Sequence, residues 1–307
     1  MGHIMTLQEL KYIVALADCG HFGVAATHCH ISQSTLSTQI KKLEDYLGAP
    51  LFDRSLKPIA PTAVGMQVIE SARTILIEEQ RIRELVKSNR DPMSRTVRLG
   101  AIMTLGAYYL PHALMTLQKH YPKLRLLLRE NLTEYLLQDI HSGQLDAALV
   151  AIPVQDSQLE IAPIFVEPFV AALPPGHRLA KNKTVALAEL AAEKLLLLEE
   201  GHCLRDQALE VCGLHSIYSE EVRATSLETL RQMVGLGIGS TLLPALAAPA
   251  RTRHTRSPVE IRPLRSPGAS RTIALVWRKH SPVSATLRAV SEMLCRYPPD
   301  GVGKIKP

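Results

Sequence analysis

The spacing of apolar residues at the start of the chain predicts a series of short helices. Thr6 and Glu9 fit a capping box, apolar residues then repeat at helical spacing, and Gly20 ends the first helix. A second helix is expected from Phe22 to about Thr27. A third begins after Ser32 as its N-cap and ends at Gly48.

The third helix has an apolar stripe and a polar face. The stripe consists of Leu36, Ile40, Leu43 and Leu47, and the outward positions are Gln33, Ser34, Ser37, Thr38 and Lys41. Amides and hydroxyls near the start of a second short helix are typical of a helix-turn-helix that faces the major groove. A short ribbon around Arg54 could lie along a phosphate backbone. Periodicity alone is equally compatible with a small helical domain whose polar face is solvated.

The remainder of the chain reads first as a long helix and then as alternating elements. An amphipathic helix from Thr62 to about Ser88 needs a partner for its apolar side. Strands are expected at VRLGAI, LRLLLRE, LDAALVA, KLLLLEE and RTIALVWR, with helices at Ala107–His120, Glu134–Ser142 and Leu227–Leu236. This alternation predicts an α/β sheet with crossover connections. Thr104 and Thr133 follow the first two strands, where such sheets bind small ligands.

Composition limits the class of protein without identifying it. The 307 residues allow two or three domains, and 46% hydrophobic with 21% charged residues is ordinary for a soluble protein. We find neither a membrane-spanning apolar run nor a signal peptide, so a cytoplasmic location is expected. The first four residues resemble a vector remnant ahead of Met5. The net charge of +6 arises mostly after Ala250, so charge alone does not indicate nucleic-acid binding.

The five cysteines are an odd number, which argues against a structural disulfide framework. Neither His28-Cys29-His30 nor the segment from His202 to Cys212 has the spacing of a zinc site, and no metal or other cofactor is expected. Buried cysteine usually behaves as a small apolar residue. We therefore interpret Cys19, Cys29 and Cys295 as packing residues.

Cys203 differs because it follows a strand, Leu195–Leu198, and a short turn, which places it in the first turn of a helix. The helix dipole, with His202 and Arg205 nearby, is expected to favour the thiolate. A thiolate reacts with peroxide to a sulfenic acid, and Cys212 is available as a second thiol. Nine helical residues separate two α-carbons by about 13.5 Å, whereas a disulfide tolerates about 7 Å. The helix would have to unwind, unless both cysteines are simply packing residues.

The N-terminal sequence HFGVAATHCHISQSTLSTQIKKLEDYLGAPLFDRS resembles the winged helix-turn-helix of LysR-type transcriptional regulators. The alanine pair, the S-Q-S-T-L-S segment, the I-x-x-LE-x-x-LG run and the L-F-x-R wing carry the likeness. The resemblance implies base contacts by Gln33, Ser34, Ser37 and Thr38, and phosphate contacts by Lys41 and Arg54. It also implies a linker helix that pairs two chains in antiparallel fashion.

The implied architecture is an N-terminal all-α winged helix-turn-helix with a linker helix, followed by an α/β, two-lobed, periplasmic-binding-protein-like effector domain. Its boundaries would be 1–62 for the DNA-binding domain, 63–92 for the linker helix and hinge, and 93–307 for the regulatory domain. Within the last, lobe one would be 93–166 with 271–307, and lobe two 167–270.

LLLLEEGHCLRDQALEVC, with GSTLLPALAAP and RTIALVWR downstream, looks like the peroxide-sensing members of this family. That likeness implies that Cys203 reacts with hydrogen peroxide and that Cys212 resolves it to a disulfide. It implies that Thr104, Thr133, His202 and Arg271 hold the peroxide. The expected protein is a cytoplasmic activator of oxidative-stress genes, a homodimer and homotetramer on promoter DNA that works with RNA polymerase, and not an enzyme.

Two alternatives remain at this point. One is a LysR-type regulator that responds to a small-molecule metabolite in the cleft between the lobes. The other is a thiol peroxidase that turns over peroxide, against which the helix-turn-helix argues.

Overall fold

The computed structural model describes residues 4–88, 92–212, 223–248, 259–265 and 269–305. The chain divides into two compact units, Met1–Asn89 and Arg90–Pro307. Within the described residues, no helix combines the length and the apolar character needed to cross a membrane.

The first unit consists of four helices and a small hairpin. They are α1 (Leu7–Cys19), α2 (Phe22–His28), α3 (Gln33–Leu47), β1 (Phe52–Asp53), β2 (Ala60–Pro61) and α4 (Ala63–Ser88). The capping box of Thr6 and Glu9 is present, and Gly20 ends α1 with φ 64°. Ser32 caps α3 through the backbone N–H of Thr35, and Gly48 ends it with φ 71°. The three predicted helices and their end signals are therefore confirmed.

The core of this unit joins the apolar stripe of α3 to the inner faces of α1 and α4. Leu36, Ile40 and Leu43 are fully or almost fully buried. Ile69 and Ala72 of α4 pack into the same core. Cys19 and Cys29 pack against its edge, as expected for packing residues. The start of α4 is thus part of the helix-turn-helix core.

The second unit is built on an eight-stranded mixed sheet. Its elements in chain order are β3 (Thr96–Ile102), α5 (Met103–His120), β4 (Arg125–Asn131), α6 (Thr133–Ser142), β5 (Ala147–Ile152), β6 (Leu159–Leu173), α7 (Leu187–Ala191), β7 (Leu197–Leu198), α8 (Cys203–Cys212), β8 (Arg223–Ala224), α9 (Leu227–Gly235), β9 (Thr241–Pro244), β10 (Glu260–Pro263), β11 (Ser270–Arg278), α10 (Ser284–Arg296) and β12 (Gly303–Lys304). The strand order is β10-β6-β11-β5-β3-β4, with β9 and β12 also paired to β6. Strands β3, β4 and β5 are parallel to one another, which agrees with crossover connections through α5 and α6.

Two separate apolar cores give this unit its two lobes. One core lies among β3, β5, β11, α5 and α10, and the other among β9, α9 and the last part of β6. Strand β6 contributes Phe165 to the first core and Phe169 to the second. The two lobes are therefore joined by a continuous 15-residue strand.

Three elements differ from the sequence-based expectation. Strand β6 was not predicted, because Pro163 and Pro168 interrupt its apolar pattern; the sheet accommodates Pro163 where the register with β11 shifts. Helix α5 begins at Met103 rather than Ala107, since its N-cap, Ile102, makes no side-chain capping bond that would mark the start. Strand β7 has two residues, and Leu195 makes only an isolated bridge to Ser240.

Gly65 of α4 provides a test of this packing. A Cβ at this position would lie 1.9 Å from the carbonyl oxygen of Leu51. Alanine normally stabilises a helix interior relative to glycine by about 1 kcal/mol, but here the clash should reverse the sign. We expect Gly65→Ala to destabilise the protein by about 1–3 kcal/mol, measured by calorimetric melting of the full chain. Gln67→Ala, at an exposed position of the same helix, should not destabilise it; equal melting of the two variants would contradict the packing.

Candidate functional site

The turn before α8 brings Cys203 against the start of α6. Gly201 has φ +90°, and a Cβ there would lie 2.9 Å from Cδ1 of Leu132. Glycine meets both requirements because it tolerates positive φ and lacks the clashing atom. Leu132 is the N-cap of α6, so this close approach sets Cys203, the first residue of α8, next to Thr133, the first residue of α6.

Cys203 lies at the boundary between the two lobes. Its side chain is partly buried against the core of lobe one. The next residue, Leu204, and Ala208 one turn further are buried in the core of lobe two. Helix α8 therefore belongs to lobe two by its packing, while the thiol at its first position contacts lobe one.

Arg271 and Glu167 form a fully buried ion pair beside this thiol. They are cross-strand partners on β11 and β6, their side chains have 0% exposure, and Nη2 of Arg271 lies 2.8 Å from Oε2 of Glu167. Arg271 Nη1 donates to Oγ1 of Thr104 at 2.8 Å. The second carboxylate oxygen of Glu167 accepts the backbone N–H of Leu246 at 2.9 Å. The guanidinium is thus held by Glu167 and Thr104, and its charge acts on Cys203.

Burial raises the pKa of the Cys203 thiol above its ordinary value. The charge of Arg271, the Thr133 hydroxyl and the backbone N–H of Leu204 lower the pKa, but they do not outweigh desolvation, and Asp206 raises it further. The expectation of a favoured thiolate is therefore wrong for this structure.

The two neighbours expected to favour the thiolate do not supply positive charge to it. Burial lowers the pKa of His202, against the opposing effect of Glu199, so this imidazole is mainly neutral at pH 7. The guanidinium of Arg205 pairs instead with Glu200, 2.9 Å away. Arg271, which is distant in sequence, provides the cationic neighbour.

The site offers hydrogen-bonding groups to a very small polar molecule. Thr104, Thr133 and Cys203 each lie at the first or second position of their helices, α5, α6 and α8, where free N–H groups and the dipole favour negative charge. The Thr133 Oγ1 atom is buried and makes no hydrogen bond of normal geometry with a described residue, although it is close enough to Cys203 to affect its pKa. Such an unpaired buried hydroxyl costs about 1–3 kcal/mol, which a bound donor or acceptor would offset.

Cys212 is the last residue of α8, and its side chain lies outside the part of the chain that the structure describes. The helical path from Cys203 separates the two α-carbons by about 13.5 Å. Among the described residues, no cluster of side chains is suited to hold a metal ion.

A second candidate surface is the polar face of α3 with the β1–β2 hairpin. Gln33, Ser34 and Thr38 are exposed, whereas Ser37 is half-buried. Lys41 and Arg54 are also exposed. The Thr38 hydroxyl donates to the carbonyl of Ser34 at 2.8 Å, which leaves its oxygen free to accept.

Glu44 connects this helix to the hairpin, a role that was not predicted from the sequence although the residue is part of the I-x-x-LE-x-x-LG run. Its Oε1 accepts the backbone N–H groups of Leu51 at 2.8 Å and Phe52 at 3.3 Å, and its Oε2 accepts from Arg54 at 2.8 Å. The Arg54 guanidinium also lies 5.5 Å from the centroid of the Phe22 ring. Glu44 therefore fixes the distance between the groups on α3 and the cation on the hairpin. The position of an acid directly after the buried Leu43 was the feature of the sequence that could have indicated a carboxylate with fixed partners.

The family assignment agrees with this geometry. Residues 7–66 match the bacterial regulatory helix-turn-helix protein family named after LysR, and residues 90–297 match the LysR substrate binding domain. The chain belongs to the LysR family of DNA-binding transcription regulators. The winged helix-turn-helix and the two-lobed effector domain predicted from the sequence are thereby confirmed.

Within that family the chain is similar to OxyR proteins. It is 42% identical over 291 residues to the DNA-binding transcriptional dual regulator OxyR of Escherichia coli K12, which covers 94% of this chain and 95% of that one. It is 39% identical over 281 residues to the hydrogen peroxide-inducible genes activator of Haemophilus influenzae, covering 91% and 92%. A full-length OxyR cysteine variant from Pseudomonas aeruginosa has a similar structure, with TM-score 0.76, 36% identity and coverage of 99% and 100%.

The pairing of Glu167 with Arg271 gives a prediction about the thiol. Glu167→Gln keeps the shape and an acceptor oxygen but removes the negative charge that compensates Arg271. The uncompensated guanidinium should stabilise the thiolate, so the pKa of Cys203 should fall, as measured by the pH dependence of its alkylation rate. Glu210→Gln, at an exposed position on helix α8, the helix that begins with Cys203, should leave the pKa of Cys203 unchanged. An unchanged pKa in Glu167→Gln would show that Arg271 does not control the thiol.

The hairpin geometry gives a prediction about DNA binding. Arg54→Gln should reduce affinity for specific and random duplexes alike, and the slope of log K against log salt should fall by about 0.9, because one phosphate contact is lost. Glu44→Gln should weaken binding less, since the cation remains but is less well fixed. Fluorescence anisotropy at several salt concentrations measures both effects, with Lys183→Gln in lobe two as the control for charge. An unaltered slope in Arg54→Gln would remove this residue from the interface.

Proposed function

We propose that this chain is a promoter-binding regulator that senses hydrogen peroxide through oxidation of Cys203 and a disulfide between Cys203 and Cys212. The observation that carries the proposal is the position of Cys203, whose thiol contacts lobe one while the helix it begins packs into lobe two. A chemical change at this residue therefore acts on the boundary between the lobes. Relatives named as hydrogen peroxide-inducible genes activators support the choice of peroxide.

The peroxide pocket in this proposal is formed by Thr104, Thr133, His202 and Arg271. Arg271 and the helix N-termini stabilise the negative charge that develops on the departing oxygen, and Thr133 supplies a free hydroxyl to hydrogen peroxide, which both donates and accepts. Counted over the whole residue, backbone included, Thr104, His202 and Arg271 are 3%, 8% and 2% exposed. Such burial favours a ligand of two heavy atoms over an organic metabolite, which would need an open cleft.

The chemistry balances in two steps. The Cys203 thiol gives up its proton as its sulfur attacks one oxygen of hydrogen peroxide and breaks the O–O bond, which gives a sulfenic acid and a hydroxide; the released proton and this hydroxide form water. The Cys212 sulfur then attacks the Cys203 sulfur, and a second water leaves. Two thiols and one peroxide thus become one disulfide and two waters.

The second step requires helix α8 to unwind. The two α-carbons must move from about 13.5 Å apart to within about 7 Å. Leu204 and Ala208, which have 2% and 3% exposure, must then leave their places in the core of lobe two. Exposing a leucine side chain costs about 1.5–3 kcal/mol, so the oxidised chain must repack.

The proposal extends to the assembly on DNA. Residues 1–62 would bind promoter DNA, 63–92 would pair two chains, and 93–307 would carry the redox switch in lobes 93–166 with 271–307 and 167–270. Exposed apolar side chains on α4, namely Val64, Met66, Ile75 and Ile82, support a homodimer through this helix. A homotetramer on two half-sites, acting with RNA polymerase on oxidative-stress genes in the cytoplasm, completes the proposal. One oxidation per slow reduction cycle would make the chain a sensor rather than an enzyme.

Thiol mapping by mass spectrometry tests this function. Stoichiometric peroxide should join Cys203 and Cys212 in the wild type, leave a sulfenic acid at Cys203 in Cys212→Ser, and leave no oxidised product at either position in Cys203→Ser. Cys203→Ser should retain its DNA affinity but lose the change in promoter footprint, whereas Cys295→Ser should respond as the wild type does. A normal peroxide response in Cys203→Ser would overturn the proposal.

A further inference from the structure

We propose that a basic pocket on lobe one, formed where the last residues of the chain pass over the end of α5, binds a small organic anion that carries a flat ring. The pocket has a volume of about 520 Å³, which lies within the range of small-molecule sites. It shares no residue with the proposed peroxide pocket around Cys203. The inference is independent of the proposed function.

Specific contacts fix the walls of this pocket. Nε2 of His112 lies 2.9 Å from the carbonyl oxygen of Tyr297, so it donates to that oxygen. The rings of His120 and Tyr297 stack with centroids 4.8 Å apart and an interplanar angle of 29°. Strand β12 then pairs with β6 through Gly303 and Lys304. The segment from Tyr297 to Lys304 is thus held at both ends.

The charges that line the pocket are predominantly positive. Lys119, Arg296 and Lys304 line it with a single acid, Asp300, and these three cations form no ion pair with any residue in the described ranges. Several arginines elsewhere in lobe one pair with carboxylates, namely Arg98, Arg129, Arg271 and Arg288. What distinguishes the pocket is that three cations without an ion pair line one concave site.

The negative ends of two helices compensate part of the positive charge of the pocket, but not all of it. Helices α5 and α10 both end at the pocket, at His120 and Arg296. Each helix C-terminus contributes about half a negative charge. Together with Asp300 this gives about two negative charges against three cations. A net charge of about +1 suits a ligand with one or two negative charges.

The apolar part of the lining sets the other requirement. Met115, Pro298, Pro299 and Val302 line the pocket beside the stacked rings of His120 and Tyr297. Met115 is 68% exposed and Tyr297 is 43% exposed. An exposed tyrosine ring and an exposed thioether beside unpaired cations favour a molecule with both a flat apolar part and a phosphate or carboxylate.

Titration calorimetry of the reduced full-length chain tests this proposal with phenyl phosphate as the probe. Phenol and inorganic phosphate, the two halves of the probe, serve as comparison ligands. We expect phenyl phosphate to bind at least about tenfold more tightly than either half. The double variant with Lys119→Gln and Arg296→Gln should bind phenyl phosphate at least about tenfold more weakly, and Lys183→Gln, the same charge change in lobe two, should bind as the wild type does.

Tyr297→Leu separates the two parts of the claim, because it removes the ring and keeps the backbone carbonyl that His112 holds. This variant should lose the preference for phenyl phosphate over inorganic phosphate while still binding phosphate. Absence of binding heat at millimolar phenyl phosphate, or equal affinity in the wild type and the double variant, would overturn the proposal. Equal affinity for phenyl phosphate and inorganic phosphate in the wild type would overturn the requirement for a ring. Unchanged melting temperatures verify that the variants are folded.

Discussion

The buried ion pair between Arg271 and Glu167 is the interaction on which the regulatory unit depends. Taking two charges out of water costs several kcal/mol per ion, and this cost is offset only when the pair is close and fully hydrogen-bonded. Both conditions hold, since the guanidinium also donates to Thr104 and the carboxylate also accepts from Leu246. The pair therefore fixes β11, β6 and α5 relative to one another. Its guanidinium is also the cation that acts on the thiol, while Glu167 compensates part of that charge.

Burial of the thiol has two opposing effects on the reactivity of Cys203. The same desolvation that keeps Cys203 protonated also strengthens every electrostatic interaction around it. In the proposed reaction, negative charge develops where three helix N-termini and Arg271 can stabilise it, so the site stabilises the transition state more than the resting thiol. Low reactivity toward bulky oxidants and high reactivity toward a small one would both follow from this arrangement.

Local signals in the sequence predicted much of the fold, and long-range contacts explain most of what they missed. Helix caps act within a few residues, so they can be predicted from the sequence, as they are for Thr6, Gly20, Ser32 and Gly48. The charge state of Cys203 could not be predicted in this way. Arg205, a neighbour in sequence, pairs with Glu200, and the cation that acts on the thiol is Arg271, 68 positions further along the chain (271 against 203). Glu167 was missed because two prolines obscured its strand, although an acid in the apolar run IFVEPFVAAL was a signal that its charge must be paired.

The continuity of β6 has a consequence for the way this protein moves. Its residues pair with β11 and β12 in one lobe and with β9 and β10 in the other. Bending between the lobes would have to distort a backbone that is hydrogen-bonded on both sides, so gradual clamshell closure is disfavoured. A stiff frame of this kind leaves little elastic freedom to absorb the covalent change proposed above. If the disulfide forms as proposed, each chain should consequently respond in an all-or-none manner and stay in the changed state until the disulfide is reduced.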